Sequence, residues 1–365
     1  RPCPGTPEPR GRVAPRGAAV ALIPLDGSHG EGGGQILRAA LTLSAVTGQG
    51  FEITQIRARR TRPGLRPQHV AAVRAAAMAC DARTSGLFEG SPDLRFEPGK
   101  ANAGDFRFEI GTAGASSLVL QTVLPVLATA DTNSPVAVQG GTHVPRSPSF
   151  EYLSRHWSAV VARLGLNTRH ELLRAGFYPR GGGEQRALAR PWARPGAALV
   201  MESRGSLVSV SGVSGAGKIK GDVAARQREA ACARLWEARR IEATVERVEV
   251  PAEGPGSFLF LEAEFECGRA AFGWLGEKGL RAELLGDRAA RRLLRFLDDE
   301  ESSVDPHLAD QLVVPLCLSG GGGRVTTSEV TSHLETVAEV ANAFSFAVRV
   351  TGRRGFAGLL EVDRC

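Results

Sequence analysis

The chain reads as a mixed α/β protein: three β-α-β-α-β-β repeats forming a large domain, with a smaller α/β domain inserted between the second and third copies. Three observations predict this. Strand-like and helix-like runs alternate throughout. The order helix, strand, helix, two strands recurs, and the rhythm breaks between Met201 and Ser302. Glycine clusters at 30–34, 111–114, 140–141, 181–183 and 320–323 punctuate the units where turns need them.

The first unit places a helix of small and apolar residues over Gln35–Thr47 and a strand over Phe51–Arg59. A second helix fits Pro67–Cys80, with Val70, Val73, Ala77 and Cys80 on one face, and strands follow at Arg83–Phe88 and Asp93–Phe96. The second unit reads helix Ala115–Ala130, strand Val136–Gln139, helix Phe150–Leu164, then strands Asn167–Leu173 and Glu184–Ala189. The third reads helix Pro306–Leu318, strand Arg324–Thr327, helix Thr331–Phe344, then strands Ala347–Thr351 and Gly358–Val362. The inserted segment shows strands at Leu207–Val213, Ala243–Val250 and Ser257–Glu266, with helices at Ala224–Arg240 and Arg281–Leu297. The expected limits are a disordered extension at 1–20, a large domain of 21–201 with 303–365, and an inserted domain of 202–302.

With 365 residues, 42% hydrophobic and 23% charged, the composition is that of a globular protein able to bury its own core. No apolar run approaches the length of a membrane helix. Lysine and arginine total 45, giving a net charge of +6, and all but Lys100, Lys218, Lys220 and Lys278 are arginine. Arginine suits bidentate recognition of phosphate, although a base-composition bias explains a global excess equally well. The six cysteines form no C-x-x-C pair. They read as thiols in a reducing compartment, and a cytoplasmic location is expected.

Two segments carry phosphate chemistry. In Asp26-Gly-Ser-His-Gly-Glu-Gly-Gly-Gly-Gln-Ile-Leu-Arg38, glycines surround Glu31 just before a helix. Backbone N–H groups there suit an anion, Glu31 suits a divalent metal, and Arg38 sits one turn into the helix. A tight strand-to-helix turn is the plainer alternative. In Arg57-Ala-Arg-Arg-Thr-Arg-Pro-Gly-Leu-Arg66, five arginines crowd a loop, and Gln68 and His69 open the next helix. Such crowding favours an anionic partner over a solvated basic loop. His307 and His333 are the histidines of the last unit, and a neutral imidazole serves as nucleophile or base. By contrast, Gly212-Val-Ser-Gly-Ala-Gly-Lys218 falls short of a phosphate-binding P-loop, because Ile219 stands where Ser or Thr should hold magnesium.

The segment DGSHGEGGGQILR followed by IRARRTRPGLRPQH resembles the RNA 3′-terminal phosphate cyclase family. The likeness continues through GTAGASSLVLQTVLP, GGTHVPRSP, GFYPRGGGE, LADQL and TSHLET, and spans roughly residues 22–355. It implies the same three repeats and insertion. It also implies an ATP-dependent reaction with Mg2+ or Mn2+ that turns an RNA 3′-phosphate end into a 2′,3′-cyclic phosphate, through a covalent histidine–AMP. By motif, His333 is the nucleophile and Glu31 the metal ligand. Arg38, Arg57, Arg60, Gln68 and His69 belong to the phosphate side of the site. Gln121, Pro148, Tyr152, Asp310 and Gln311 match the nucleotide pocket, with Pro148 and Tyr152 offering apolar faces to adenine. His307 stands where the family usually has Tyr, and is expected to line that pocket.

Three other readings compete. A non-catalytic, RNA-binding relative acting in ribosome assembly would lack the histidine, glutamate and arginines present here. An enolpyruvyl transferase would carry six repeats. A general RNA-binding protein would need neither histidine nor ATP. With two Tyr and four Trp in the chain, no RNA-stacking platform is visible.

Overall fold

The computed structural model describes residues 21–30, 33–193, 196–299 and 301–364. The expected extension at 1–20 and the metal ligand Glu31 lie outside the described residues. Among the described residues, four mixed sheets of four strands and eight α-helices make up the fold.

The first sheet contains β1 (Ile23–Asp26), β2 (Phe51–Thr54), β3 (Arg83–Ser85) and β4 (Leu94–Glu97), in the order β1-β2-β4-β3. Helices α1 (Gln35–Thr47) and α2 (Pro67–Cys80) connect its strands. The first two strands are parallel and the rest antiparallel. Phe51 and Ile53 face the core while Glu52 and Thr54 face water, a period of two. The strand expected to reach Arg59 stops at Thr54, because Gln55 and Arg57 turn into the left-handed region.

The second sheet uses β5 (Phe106–Glu109), β6 (Ser134–Gly140), β7 (Thr168–Arg174) and β8 (Gly183–Ala189), in the order β5-β6-β8-β7 with the same pairing senses. Between β5 and β6 runs α3 (Ser116–Leu127), buried almost all round. The helix expected over Phe150–Leu164 is divided. A π-helical turn, Tyr152–Trp157, leads into α4 (Ser158–Arg163).

A third sheet repeats that order: β9 (Leu199–Met201), β14 (Gly323–Thr327), β16 (Gly358–Val362) and β15 (Val348–Gly352). Again the first pair is parallel. Helices α7 (Pro306–Leu318) and α8 (Ser332–Ala343) serve it. Sequence reading missed its first strand, which lies before the interrupting segment instead of beside its partner. Met201 and Ser303, on either side of that segment, are joined by a hydrogen bond from the Ser303 hydroxyl to the Met201 carbonyl.

The fourth sheet lies between them in sequence and has a different order, β11-β10-β12-β13. Its strands are β10 (Leu207–Gly217), β11 (Ala243–Glu249), β12 (Gly256–Phe265) and β13 (Arg269–Leu275), covered by α5 (Val223–Arg239) and α6 (Ala282–Asp298). The sequence reading lacked β13 and ended β10 too early. The P-loop-like glycines Gly212, Gly215 and Gly217 lie in β10, the first two paired on both sides and Gly217 with β12. They form no phosphate-cradling loop.

One apolar core joins the first three sheets, with α1 packed against α2, α3, α7 and α8. β12 is buried on both faces. Leu259, Leu261 and Ala263 enter the core under α5 and α6, whereas Phe258 and Phe260 pack on residues 175–177 and on Tyr152. That explains its nearly unbroken apolar run. Among the described residues no helix is long and apolar enough to cross a membrane.

Candidate active site

A cavity of about 970 Å3 opens where α1, α3, α7 and α8 meet the π turn and the fourth sheet. It brings together Arg38, Gln121, Pro148, Tyr152, His307, Asp310, Gln311 and His333, residues spread over nearly three hundred positions.

His333 enters from the first turn of α8, which Thr331 caps by accepting the Leu334 N–H at 2.9 Å. The positive end of that helix suits a nearby anion. The His333 Nδ1 approaches the Asp310 carboxylate at 3.9 Å. Burial holds the Asp310 carboxyl well above the ordinary carboxylate range, the charge of Asp305 adds to the effect, and Arg38 opposes it. Burial also draws the Arg38 guanidinium down to about 10, so it stays cationic at neutral pH. Its Nη2 donates to Gln35 Oε1 at 2.6 Å. Gln121 on α3 donates to Gln311 on α7, tying two walls together.

The start of α7 carries His307, Asp310 and Gln311, and it is fixed by a buried network. Asp305 caps the helix, accepting N–H groups from His307 and Leu308. The same carboxylate accepts the Tyr152 hydroxyl at 2.9 Å, pairs with His156 Nε2 at 2.8 Å and accepts the Ala271 N–H at 3.2 Å. His156 Nδ1 pairs with Glu262 at 2.7 Å. Burial opposes charge on His156, but the two carboxylates outweigh it and raise its pKa. An imidazolium between two carboxylates thus links the π turn, α7 and the fourth sheet. Sequence reasoning missed Asp305, His156 and Glu262. Asp305-Pro306 is a helix-start signature that could have pointed to the first. A buried His143, bridging Thr142 and Glu151 beside the Phe258 ring, was missed too.

Of the predicted phosphate residues of the first unit, Arg38 lines the cavity, whereas Arg57, Arg60, Gln68 and His69 fall into a neighbouring group that does not. His69 is buried, and its Nδ1 accepts the Arg66 N–H at 3.0 Å. Burial, then Arg38, Arg57 and Arg66, pulls its pKa down to about 3. His69 is therefore neutral with its proton on Nε2, a donor. That nitrogen sits against Gly34, where an added Cβ would lie 2.3 Å from it and 2.7 Å from an Arg38 nitrogen. Gly34 is a glycine for closeness, not for its φ of −72°. Arg60 lies beside Gly33, 3.6 Å from where a Cβ would stand. Arg57 donates to the carbonyls of Arg62 and Gly64, so it shapes its own loop. Its pKa is lowered by burial and by Arg60 and Arg66. Gln68 accepts the Ala115 N–H at 3.3 Å, tying α2 to the start of α3. The flank of the glycine loop reaches α8, the helix of His333: a Cβ at Gly30 would lie 2.5 Å from the Thr336 hydroxyl.

A mixed α/β scaffold holding imidazole, guanidinium and amide groups around one cleft, beside a glycine-rich turn, defines a phosphoryl- or nucleotidyl-handling enzyme. Comparison with known proteins narrows the class. Residues 29–350 match the family model described as RNA 3'-terminal phosphate cyclase. A protein of that name from Ralstonia nicotianae is 45% identical, covering 88% of this chain and 91% of the relative. Those from Methylococcus capsulatus and Pyrobaculum aerophilum are each 41% identical, over 90% and 86% of this chain and 92% and 90% of the relatives. The chain belongs to the RNA 3′-terminal phosphate cyclase family.

Proposed function

We propose that this chain uses ATP to convert an RNA 3′-terminal phosphate into a 2′,3′-cyclic phosphodiester, with His333 as the nucleophile. The observation that carries the reading is the convergence of His333, Asp310, Arg38 and the Gln121–Gln311 pair on one cavity, from four different helices. With Nδ1 toward Asp310, Nε2 is the nitrogen that attacks the α-phosphorus of ATP. A nitrogen–phosphorus bond forms as pyrophosphate leaves. An oxygen of the RNA 3′-phosphate then displaces His333 and takes the AMP. Finally the neighbouring 2′-hydroxyl loses its proton and attacks the 3′-phosphorus, releasing AMP. Covalent catalysis divides a hard displacement into easier ones, and what remains is positioning and charge neutralisation.

Arg38 neutralises phosphate charge, and His69 Nε2–H, Arg57 and Arg60 serve the phosphates at the glycine turn. Pro148, Tyr152 and His307 enclose the adenine. Glu31 is assigned to Mg2+ or Mn2+, which would supply further neutralisation of the triphosphate. Among the described residues no three His, Cys, Asp or Glu side chains form a cage for an ion. A magnesium ion held largely by phosphate oxygens and water needs just one or two carboxylates, so the residues fit. The matching order of the first three sheets supports the three-repeat reading, and the different order of the fourth supports an insertion between 201 and 303. Buried Cys80, its thiol pushed up to about 11 by burial, suits the reducing cytoplasm.

Incubation with Mg2+ or Mn2+ and ATP labelled at the α-phosphate tests the reading. Label should attach, survive alkali and be released by acid. His333→Asn should abolish labelling, while His307→Asn should retain it with weaker use of ATP. Labelling of the His333 variant would overturn the assignment.

A further inference from the structure

The cavity has a wall that the nucleotide and the catalytic groups do not account for. It is made by residues 144–147, by Tyr178 and by β13 with the turn after it. Tyr178 is 68% exposed, an unusual state for a large ring at a cavity mouth. Trp274, in the last strand of the fourth sheet, is half-buried, and Arg288 and Arg292 each lie 5.4 Å from its ring centroid. Exposed Arg146 and Lys278 line the same wall, together with Arg292 and a single carboxylate, Glu277. Arg146 holds a φ of +63°, which a non-glycine residue adopts only where its loop is constrained.

We propose that this wall holds the single-stranded nucleotides leading to the RNA 3′ end. The inference rests on the function proposed above and adds where the rest of the substrate lies. Single strands bind without sequence preference to surfaces that pair cations for the backbone with aromatic faces for the bases. Here Arg146, Lys278 and Arg292 supply the cations and Tyr178 the open face, while Trp274, turned toward α6, backs Arg292. The wall is continuous with the cavity that holds His333, so a strand lying along it delivers its last phosphate to the reaction. The platform is invisible in the sequence because its parts come from 146, 178 and 274–292, joined only by folding.

The test uses the full chain and a ten-nucleotide RNA with a 3′-phosphate and a 5′ fluorophore. Tyr178→Ala, and the double change Arg146→Ala with Lys278→Ala, should each weaken binding by anisotropy and raise the KM for cyclisation about tenfold. For the double variant, the slope of log Kd against log salt should become shallower by about 1.4, at ~0.7 per phosphate contact. A dinucleotide 3′-phosphate, too short to span the wall, should be cyclised as by the unaltered protein. Wild-type RNA affinity and salt slope in both variants would overturn the proposal, as would loss of ATP labelling in step with RNA use, which would give the wall to ATP. Failure of the unaltered protein to label from ATP would instead overturn the function proposed above, and the anisotropy arm would still decide where RNA binds.

Discussion

A histidine's role is fixed by what each ring nitrogen meets, and His69 and His156 show opposite outcomes in one molecule. His156 gains its charge from two carboxylates. Its contribution to stability is complete below the ordinary histidine pKa and fades as pH rises through its raised value. His69 is held neutral by burial and three arginines. The unfolded chain takes up its proton near 6.5 and the folded chain near 3, so that contribution is present above 6.5 and is lost as pH falls. Between pH 7 and pH 4.5 the unaltered protein should lose roughly 3 kcal/mol more than His69→Gln, at ~1.4 kcal/mol per unit. Melting curves of both proteins at the two pH values check this; equal losses would show that His69 is not held neutral. The sequence marked His69 through its place after the arginine run. Its charge state was not legible, because that depends on burial under α1 and on Arg38, brought in from another helix.

Among the elements, α7 is the one whose placement matters most, since three cavity residues ride on its first two turns. Asp305 accepts from five groups that belong to α7, the π turn and β13. Removing a buried charged partner costs about 3–5 kcal/mol. Asp305→Ala should therefore lower the melting temperature markedly and raise the KM for ATP, while Asp131→Ala, at an exposed position after α3, should do neither; thermal melts and labelling kinetics distinguish them. The helices themselves were readable from their apolar period, and α7 and α8 from their Pro306 and Thr331 starts. The π turn was not, because its composition is that of an ordinary helix and only the network around His156 gives the extra backbone group a reason. Strand β13 was missed for a related reason: Phe272 and Trp274 face α6, so the strand shows no clean alternation with water.

At the scale of the molecule, two bodies of core meet across the cavity, one shared by three sheets and one under α5 and α6. The ends of the segment between them touch, through Ser303 and Met201. Replacing residues 202–302 by a short linker should leave a chain that still folds cooperatively by circular dichroism. It should lose ATP labelling by more than tenfold, since Glu262, Ala271 and one cavity wall leave together. A chain that fails to fold would show that the first three sheets depend on the fourth.

The separation of β9 from β14 also sets an order of events at the ribosome. The first two sheets have all their strands before β9 emerges, so they can close as the chain is made. β9 then waits, its edge unpaired, while β10 through α6 are added. Contacts between such distant segments form slowly, and an exposed edge invites pairing with a neighbouring chain. Substitutions that delay the fourth sheet would therefore be felt as aggregation during synthesis, even where the finished protein tolerates them.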